Sequence, residues 1–201
     1  MNNAKILLYA EGAEDVIFLK DFVHVRFPAE KHLFDINATH SKTKIHKVAQ
    51  QLQENEANDG INIIIFDADD DFQKASQDII QERDRLGLML DIFLFPDNAG
   101  KGQFETLLMQ ICPPENLPFF DCWKAFDACT RTLPTAKSTL YTKTESQCYC
   151  ELFLDKNVVR KIEKKKIDYT SSDAWNLQHN TLNPLFNFLN QKIQEYYAKQ
   201  L

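Results

Sequence analysis

Short apolar runs alternate with helix-period segments through the first half of the chain. Residues 5–9 (KILLY) form a continuous apolar run, the pattern of a strand buried on both faces of a parallel sheet. After Gly12 the period changes, and Val16, Leu19, Val23 and Phe27 recur at three and four residues, as on one face of a helix. A second strand is expected at 32–37, and Val48 and Leu52 mark a helix over about 43–55. Asn58-Asp59-Gly60 is a turn signal before residues 61–66 (INIIIF), the strongest strand pattern in the chain, rich in β-branched residues and ending in a carboxylate cluster. A helix carrying Ile79, Ile80 and Leu86, a fourth strand at 90–95 and a short helix with Phe104, Leu107, Leu108 and Ile111 complete four βα units. Such alternation predicts an α/β fold, a parallel sheet of about four strands with helices on both faces, joined by right-handed crossovers.

Pro113-Pro114 and Pro118 break this rhythm. The division expected is an α/β domain at 1–112 and a mostly helical extension at 113–201 packed on it. A last helix opens at Asn183-Pro184, with Leu185, Leu189, Ile193 and Tyr196 on one face. Trp123 and Trp175 are expected to be core anchors joining the extension to the sheet.

At 201 residues with 44% hydrophobic and 26% charged positions, the chain has an ordinary globular balance, which excludes wholesale disorder. Its longest apolar runs fall far below the roughly 18 residues of a membrane span, and Met-Asn-Asn-Ala-Lys leads into the first strand without the apolar core of a signal peptide. Five cysteines cannot all pair within one chain, so a reducing cytoplasm is expected. Cys148-Tyr-Cys150 has no second pair at zinc-ligand spacing and is expected to hold buried free thiols.

The charge is uneven: residues 1–112 hold 11 Lys and Arg against 19 Asp and Glu, a net −8, whereas 113–201 hold 12 against 10, a net +2. An acidic half that handles phosphates would repel them without cations, so it points to a metal.

The acids stand where such a fold binds ligands, just past the C-terminal ends of strands. The first strand runs into Ala10-Glu11-Gly12 and the third into Phe66-Asp67-Ala68-Asp69-Asp70-Asp71. In extended backbone Asp67 and Asp69 lie on one side, roughly 6.5 Å apart, and if the first and third strands are neighbours, roughly 4.8 Å apart, Glu11 reaches the same site. Mg²⁺ (or Mn²⁺) suits such oxygen ligands and keeps waters that a phosphate can displace.

Glu-Gly after a first strand and Asp-x-Asp after a third resemble the Toprim domain of topoisomerases, bacterial primases, recombination proteins and OLD-family nucleases. Tyr9-Ala10-Glu11-Gly12 matches the glutamate motif and Phe66-Asp67-Ala68-Asp69 the Asp-x-Asp motif. Gly102-Gln103-Phe104-Glu105 resembles a Gly-x-x-Glu element of small stand-alone Toprim-like proteins near the OLD group. The resemblance covers roughly residues 4–110, with motif order and strand context adding specificity. It implies a Toprim-like sheet, metal coordination by Glu11, Asp67 and Asp69, and a role for Glu11 as general acid or base in phosphodiester chemistry. No tyrosine here is assigned as a topoisomerase nucleophile, and no zinc spacing of a complete primase precedes the domain.

The leading function expected is thus a Mg²⁺-dependent phosphotransfer enzyme, a nuclease acting on DNA or RNA. Two alternatives stand beside it: a Toprim-like module that binds nucleic acid or a protein partner without turnover, and a nucleotide-sugar enzyme using Asp-x-Asp to hold a metal–diphosphate. Glu105, Asp71, Asp15 and Lys101 are possible additions to the site, although Asp71 and Asp15 also suit helix starts. Asn98-Ala99-Gly100-Lys101-Gly102 can present N–H groups to a phosphate but lacks the P-loop pattern. Lys42 and Lys44, with His40 and Lys47, follow the second strand on the edge of the carboxylates; Lys137, Arg160 and Lys164, with Lys161, Lys165 and Lys166, are further candidates for a nucleic-acid backbone.

Overall fold

The computed structural model describes residues 5–39, 41–133, 142–154 and 167–200. Four strands, β1 (Ile6–Ala10), β2 (Phe34–Ala38), β3 (Ile61–Asp67) and β4 (Asp91–Phe95), form one parallel sheet in the order β2-β1-β3-β4. Between and after them run α1 (Ala13–Arg26), α2 (Ile45–Glu56), α3 (Phe72–Leu86) and α4 (Phe104–Gln110). The remainder supplies α5 (Pro118–Arg131), α6 (Thr142–Phe153) and the long α7 (Asn183–Lys199). This is the α/β architecture the sequence predicts, with a helical C-terminal part. The second strand starts two residues later than expected because Lys31–Leu33 winds into a 3₁₀ turn, with His32 Nδ1 2.8 Å from the Ala29 carbonyl.

β1 is buried along its whole length and β3 up to Phe66, as required of strands covered on both faces. Side chains alternate between two cores. On one face Ile6, Leu8, Ile63, Ile65, Phe93 and Phe95 pack under α1, α4 and α7. On the other, Leu7, Tyr9, Ile64, Phe66 and Leu94 meet Ile45 and Leu52 of α2 and Ile79 of α3. The stripe that α1 buries is Phe18, Leu19, Phe22 and Val23, while Val16 is only partly covered. The shift follows the phenylalanines: Phe18 lies 6.0 Å from Phe22, 5.0 Å from Phe104 and 5.4 Å from Tyr169 between ring centroids, and these large rings outweigh valine in area removed from water.

The C-terminal part joins the first of these cores through Tyr149, Tyr169, Trp175, Leu185, Leu189 and Ile193. Asn116 Nδ2 donates to Tyr149 Oη (2.8 Å) and to the Asp173 carbonyl (2.9 Å), and Tyr149 Oη donates to the Ala174 carbonyl (2.9 Å). Trp175 is thus a core anchor, but Trp123 is not. It is half-exposed on α5, a helix with no buried residue, because Phe119 and Phe120 already make the contact with Tyr149 and Trp123 lies one turn beyond them. Of the Cys148/Cys150 pair only Cys150 is buried; all five thiols are free.

At the pole opposite the strand C-termini, two buried asparagines pin β1 and β3 to α2. Asn55 Oδ1 accepts from the Lys5 amide (3.0 Å), and its Nδ2 reaches the Lys5 carbonyl (3.0 Å), the Ile61 carbonyl (3.2 Å) and Asn62 Oδ1 (2.9 Å). Asn62 Nδ2 in turn donates to the carbonyls of Leu52 (2.9 Å) and Met89 (3.1 Å). A side chain at residue 60 is excluded here, since a Cβ on Gly60 would lie 2.3 Å from Asn55 Oδ1. Asn55→Ala leaves several of these buried groups without partners, at a cost of about 2–3 kcal/mol, and for a chain of this size the melting temperature is expected to fall by roughly 4–12 °C. Thermal melts check this; an unchanged melting temperature would mean that the pair does not hold the strands.

Candidate metal centre

The C-terminal ends of the strands bring together residues far apart in sequence. β1 pairs with β3 in the register Ala10↔Ile65, so Glu11 and Asp67, each just past or at a strand end, lie on neighbouring strands as the sequence argument required. β2 pairs with β1 up to Ala38↔Ala10 and leads into a 3₁₀ turn, Lys42–Lys44, that carries Lys42 to the same edge. Ser41 opens that turn by accepting the Thr43 amide on Oγ (3.3 Å). From the far side comes the segment between β4 and α4, which Asp69 meets in a single antiparallel bridge: the Gly102 amide donates to the Asp69 carbonyl (2.8 Å). Glycine is required at 102, whose φ is +146° and where a Cβ would lie 3.0 Å from Pro96 Cδ.

Asp69 does not continue the strand. Its φ is +52°, in the left-handed region, so the two aspartates are not stacked along extended backbone as expected. The Ala68 amide still makes the last rung of the parallel ladder, to the Phe95 carbonyl (3.0 Å), and the strand is broken where Asp69 turns to Gly102. The reversal aims the Asp69 carboxylate at Gln103 Nε2, which donates to Oδ1 (3.1 Å), and at the Lys42 ammonium, which donates to Oδ2. The same ammonium stands 3.8 Å from Glu11 Oε2, an oxygen that is buried and accepts no hydrogen bond. Asp67 Oδ1 accepts the amide of Phe104, the first residue of α4 (2.8 Å).

Burial and crowding set the protonation of these groups. The rings of Phe95, Phe104 and Tyr169 form an apolar floor, with Phe104 5.4 Å from Phe95 and 5.9 Å from Tyr169. Loss of solvent pushes the Asp67 carboxyl up to about 7, with Asp15, Glu105 and Glu11 adding repulsion and the Phe104 amide opposing it. Glu11 is likewise raised by burial, helped by Asp69, Asp15 and Glu105 and countered by Lys42. Asp69 goes the other way: burial would raise it, but the hydrogen bonds from Lys42 and Gln103 hold it below the ordinary carboxylate value.

Glu11, Asp67 and Asp69 therefore share one edge, with Glu105 and Asp15 near enough to act on their charge; Asp15 Oδ2 also accepts the Gly12 amide (2.8 Å). Asp71 does not join them. It caps α3, its carboxylate accepting the Lys74 amide (3.0 Å). Lys101 is exposed, and its loop is held instead by Asp97, which accepts the amides of Ala99 (3.1 Å) and Gly100 (2.8 Å). Lys44 ends the turn that carries Lys42. Lys137, Arg160 and Lys164 lie outside the described residues, as do His40, Tyr141, Lys161, Lys165 and Lys166. The sequence pattern gives no role to Gln103 or to the Phe104 amide, although both belong to the Gly-x-x-Glu element, and it offers Lys42 to a nucleic-acid backbone rather than to the acids.

Among the described residues no three His, Cys, Asp or Glu side chains stand close enough together to hold a metal as they are arranged. The donor set nonetheless fits a hard divalent cation. It is made of carboxylate oxygens, one of them buried without a hydrogen bond, and a positive charge from the chain itself already bridges Glu11 and Asp69.

A carboxyl raised from 3.8 to about 7 holds its proton more tightly in the folded protein than in the unfolded one, so its contribution to stability is present at low pH and is lost as pH rises across that interval. Asp67→Asn removes this loss and keeps the Oδ1 acceptor for Phe104. With EDTA at pH 8 the variant is expected to melt above the wild type by roughly 2–8 °C, for about 1–2 kcal/mol of relieved burial and repulsion, and the gap should narrow toward pH 5. A gap that ignores pH would assign the effect elsewhere.

No curated protein and no solved structure matches the chain. Residues 5–194 match the model of a family described as a protein of unknown function, DUF3226. That match spans both the α/β part and the helical part, and the chain belongs to the DUF3226 family.

Proposed function

We propose that the protein is a Toprim-like, Mg²⁺- or Mn²⁺-dependent phosphotransfer enzyme, a nuclease acting on DNA or RNA. The observation that carries this reading is the convergence of Glu11, Asp67 and Asp69 at the C-terminal edge of adjacent parallel strands, two of them raised by burial and mutual repulsion and the third held by a lysine. Carboxylates are costly in such a place without a counter-charge.

Glu11, Asp67 and Asp69 would hold the cation, which when bound supplies positive charge for the scissile phosphate and the departing oxygen. Glu11, raised and with one oxygen that accepts no hydrogen bond, is suited to take or give the proton at the leaving or attacking oxygen. Asp67 is kept in place by the Phe104 amide, which binds Oδ1. Lys42 and Lys44 at the rim offset the field of the acidic half for an approaching polyanion. The five free thiols suit a reducing compartment such as the cytoplasm; no helix among the described residues is long and apolar enough to cross a membrane.

A second reading, a module that binds nucleic acid or protein without turnover, is favoured by one observation: Lys42 already stands between two of the three acids as their counter-charge. Cleavage assays on single- and double-stranded DNA and RNA with Mg²⁺ or Mn²⁺ separate the two. The enzyme is expected to cut at least one substrate class, with loss of roughly 10³-fold or more for Asp67→Ala. Salt-dependent binding with no cleavage of any substrate would favour the binding module instead.

A further inference from the structure

We propose that Lys42 is an internal latch on this site: its ammonium holds the cation position in the metal-free protein and is expelled when a divalent cation binds. The inference rests on the metal reading above and names how that site is regulated. Three features of the geometry carry it. The Lys42 ammonium touches Asp69 and stands 3.8 Å from Glu11, so one monovalent charge spans two of the three acids. Those acids come from different strands, and without a cation between them their charges would drive them apart. Finally, Glu11 Oε2 is left buried beside the ammonium with no hydrogen bond.

The latch is local and reversible in design. Lys42 sits on a 3₁₀ turn of three residues rather than on the sheet, so its side chain can leave without disturbing a strand. The acids stay anchored by other means: Asp67 by the Phe104 amide and Asp69 by Gln103 and by its backbone bridge to Gly102. The expelled ammonium remains at the rim of the same site, placed to receive a phosphate oxygen. Metal loading thereby converts an internal counterion into an anion-binding arm.

Two measurements test this. In the first, Mn²⁺ binding is followed by calorimetry for the wild type and for Lys42→Met, which keeps an apolar stem of similar length. A latch closed nine-tenths of the time weakens apparent affinity about tenfold, so the variant is expected to bind Mn²⁺ roughly tenfold or more tightly. In the second, wild-type lysines are labelled with an amine-reactive ester and read by mass spectrometry with and without Mn²⁺. Lys42 labelling is expected to rise severalfold with Mn²⁺ while that of Lys74 and Lys20 does not change. Tighter binding by Lys42→Met with no change in Lys42 labelling would overturn displacement, leaving only a repulsive charge. Equal affinities with unchanged labelling would overturn the latch and leave the metal site standing. Absence of Mn²⁺ binding in both proteins would overturn the metal reading and the latch with it. The labelling arm needs no variant, so a poorly folded Lys42→Met does not shield the proposal.

Discussion

The structure turns on the placing of carboxylates at the open ends of strands that are themselves fully buried. A parallel sheet covered on both faces gives Glu11 and Asp67 little water, and each neighbouring acid makes ionisation harder. The chain answers with a set of local compensations. The Phe104 amide binds Asp67, Gln103 binds Asp69, and Lys42 reaches across from the turn after β2 to bridge Asp69 and Glu11. Remove the acids and none of these contacts has a purpose in packing; remove the contacts and the acids become a source of instability.

The helical C-terminal part takes its place in the same account. Tyr169 packs against Phe18 and Phe104, the latter being the residue whose amide holds Asp67, so the extension shares the core on which that edge is built. Tyr149, Trp175 and α7 continue the same core. Meanwhile the opposite pole is closed by Asn55 and Asn62, which satisfy the ends of β1 and β3 by hydrogen bonds rather than by charge. At one end of the sheet buried amides hold β1 and β3, and at the other, the end where open α/β sheets bind ligands, the acids gather.

What was legible in the chain is what depends on neighbours in sequence. The apolar runs located β1 and β3, the change of period located the helices, and the punctuation by Glu11-Gly12 and Asp67-Ala68-Asp69 marked the ends of those strands. The pairing of β1 with β3, which the chain left as a condition, is what brings Glu11 and Asp67 onto neighbouring strands. Where the expectation failed, a long-range contact had intervened. Asp69 left the extended path because Gly102, 33 residues on, captured its carbonyl, and Trp123 stayed outside because Phe119 and Phe120 had already filled the contact with Tyr149.

By itself the sequence determined the class of fold, the order of its elements and the identity of the acids, because periodicity and the cost of burying charge are local properties of a chain. Only the tertiary structure decided how those acids are held. That Lys42 spans Glu11 and Asp69, that Gln103 also binds Asp69 and a helix-opening amide binds Asp67, and that Tyr169 packs on Phe18 and Phe104 are consequences of strand order and of packing between residues up to more than a hundred positions apart. No pattern along the chain encodes such distances, since they arise only when the sheet brings its strand ends together.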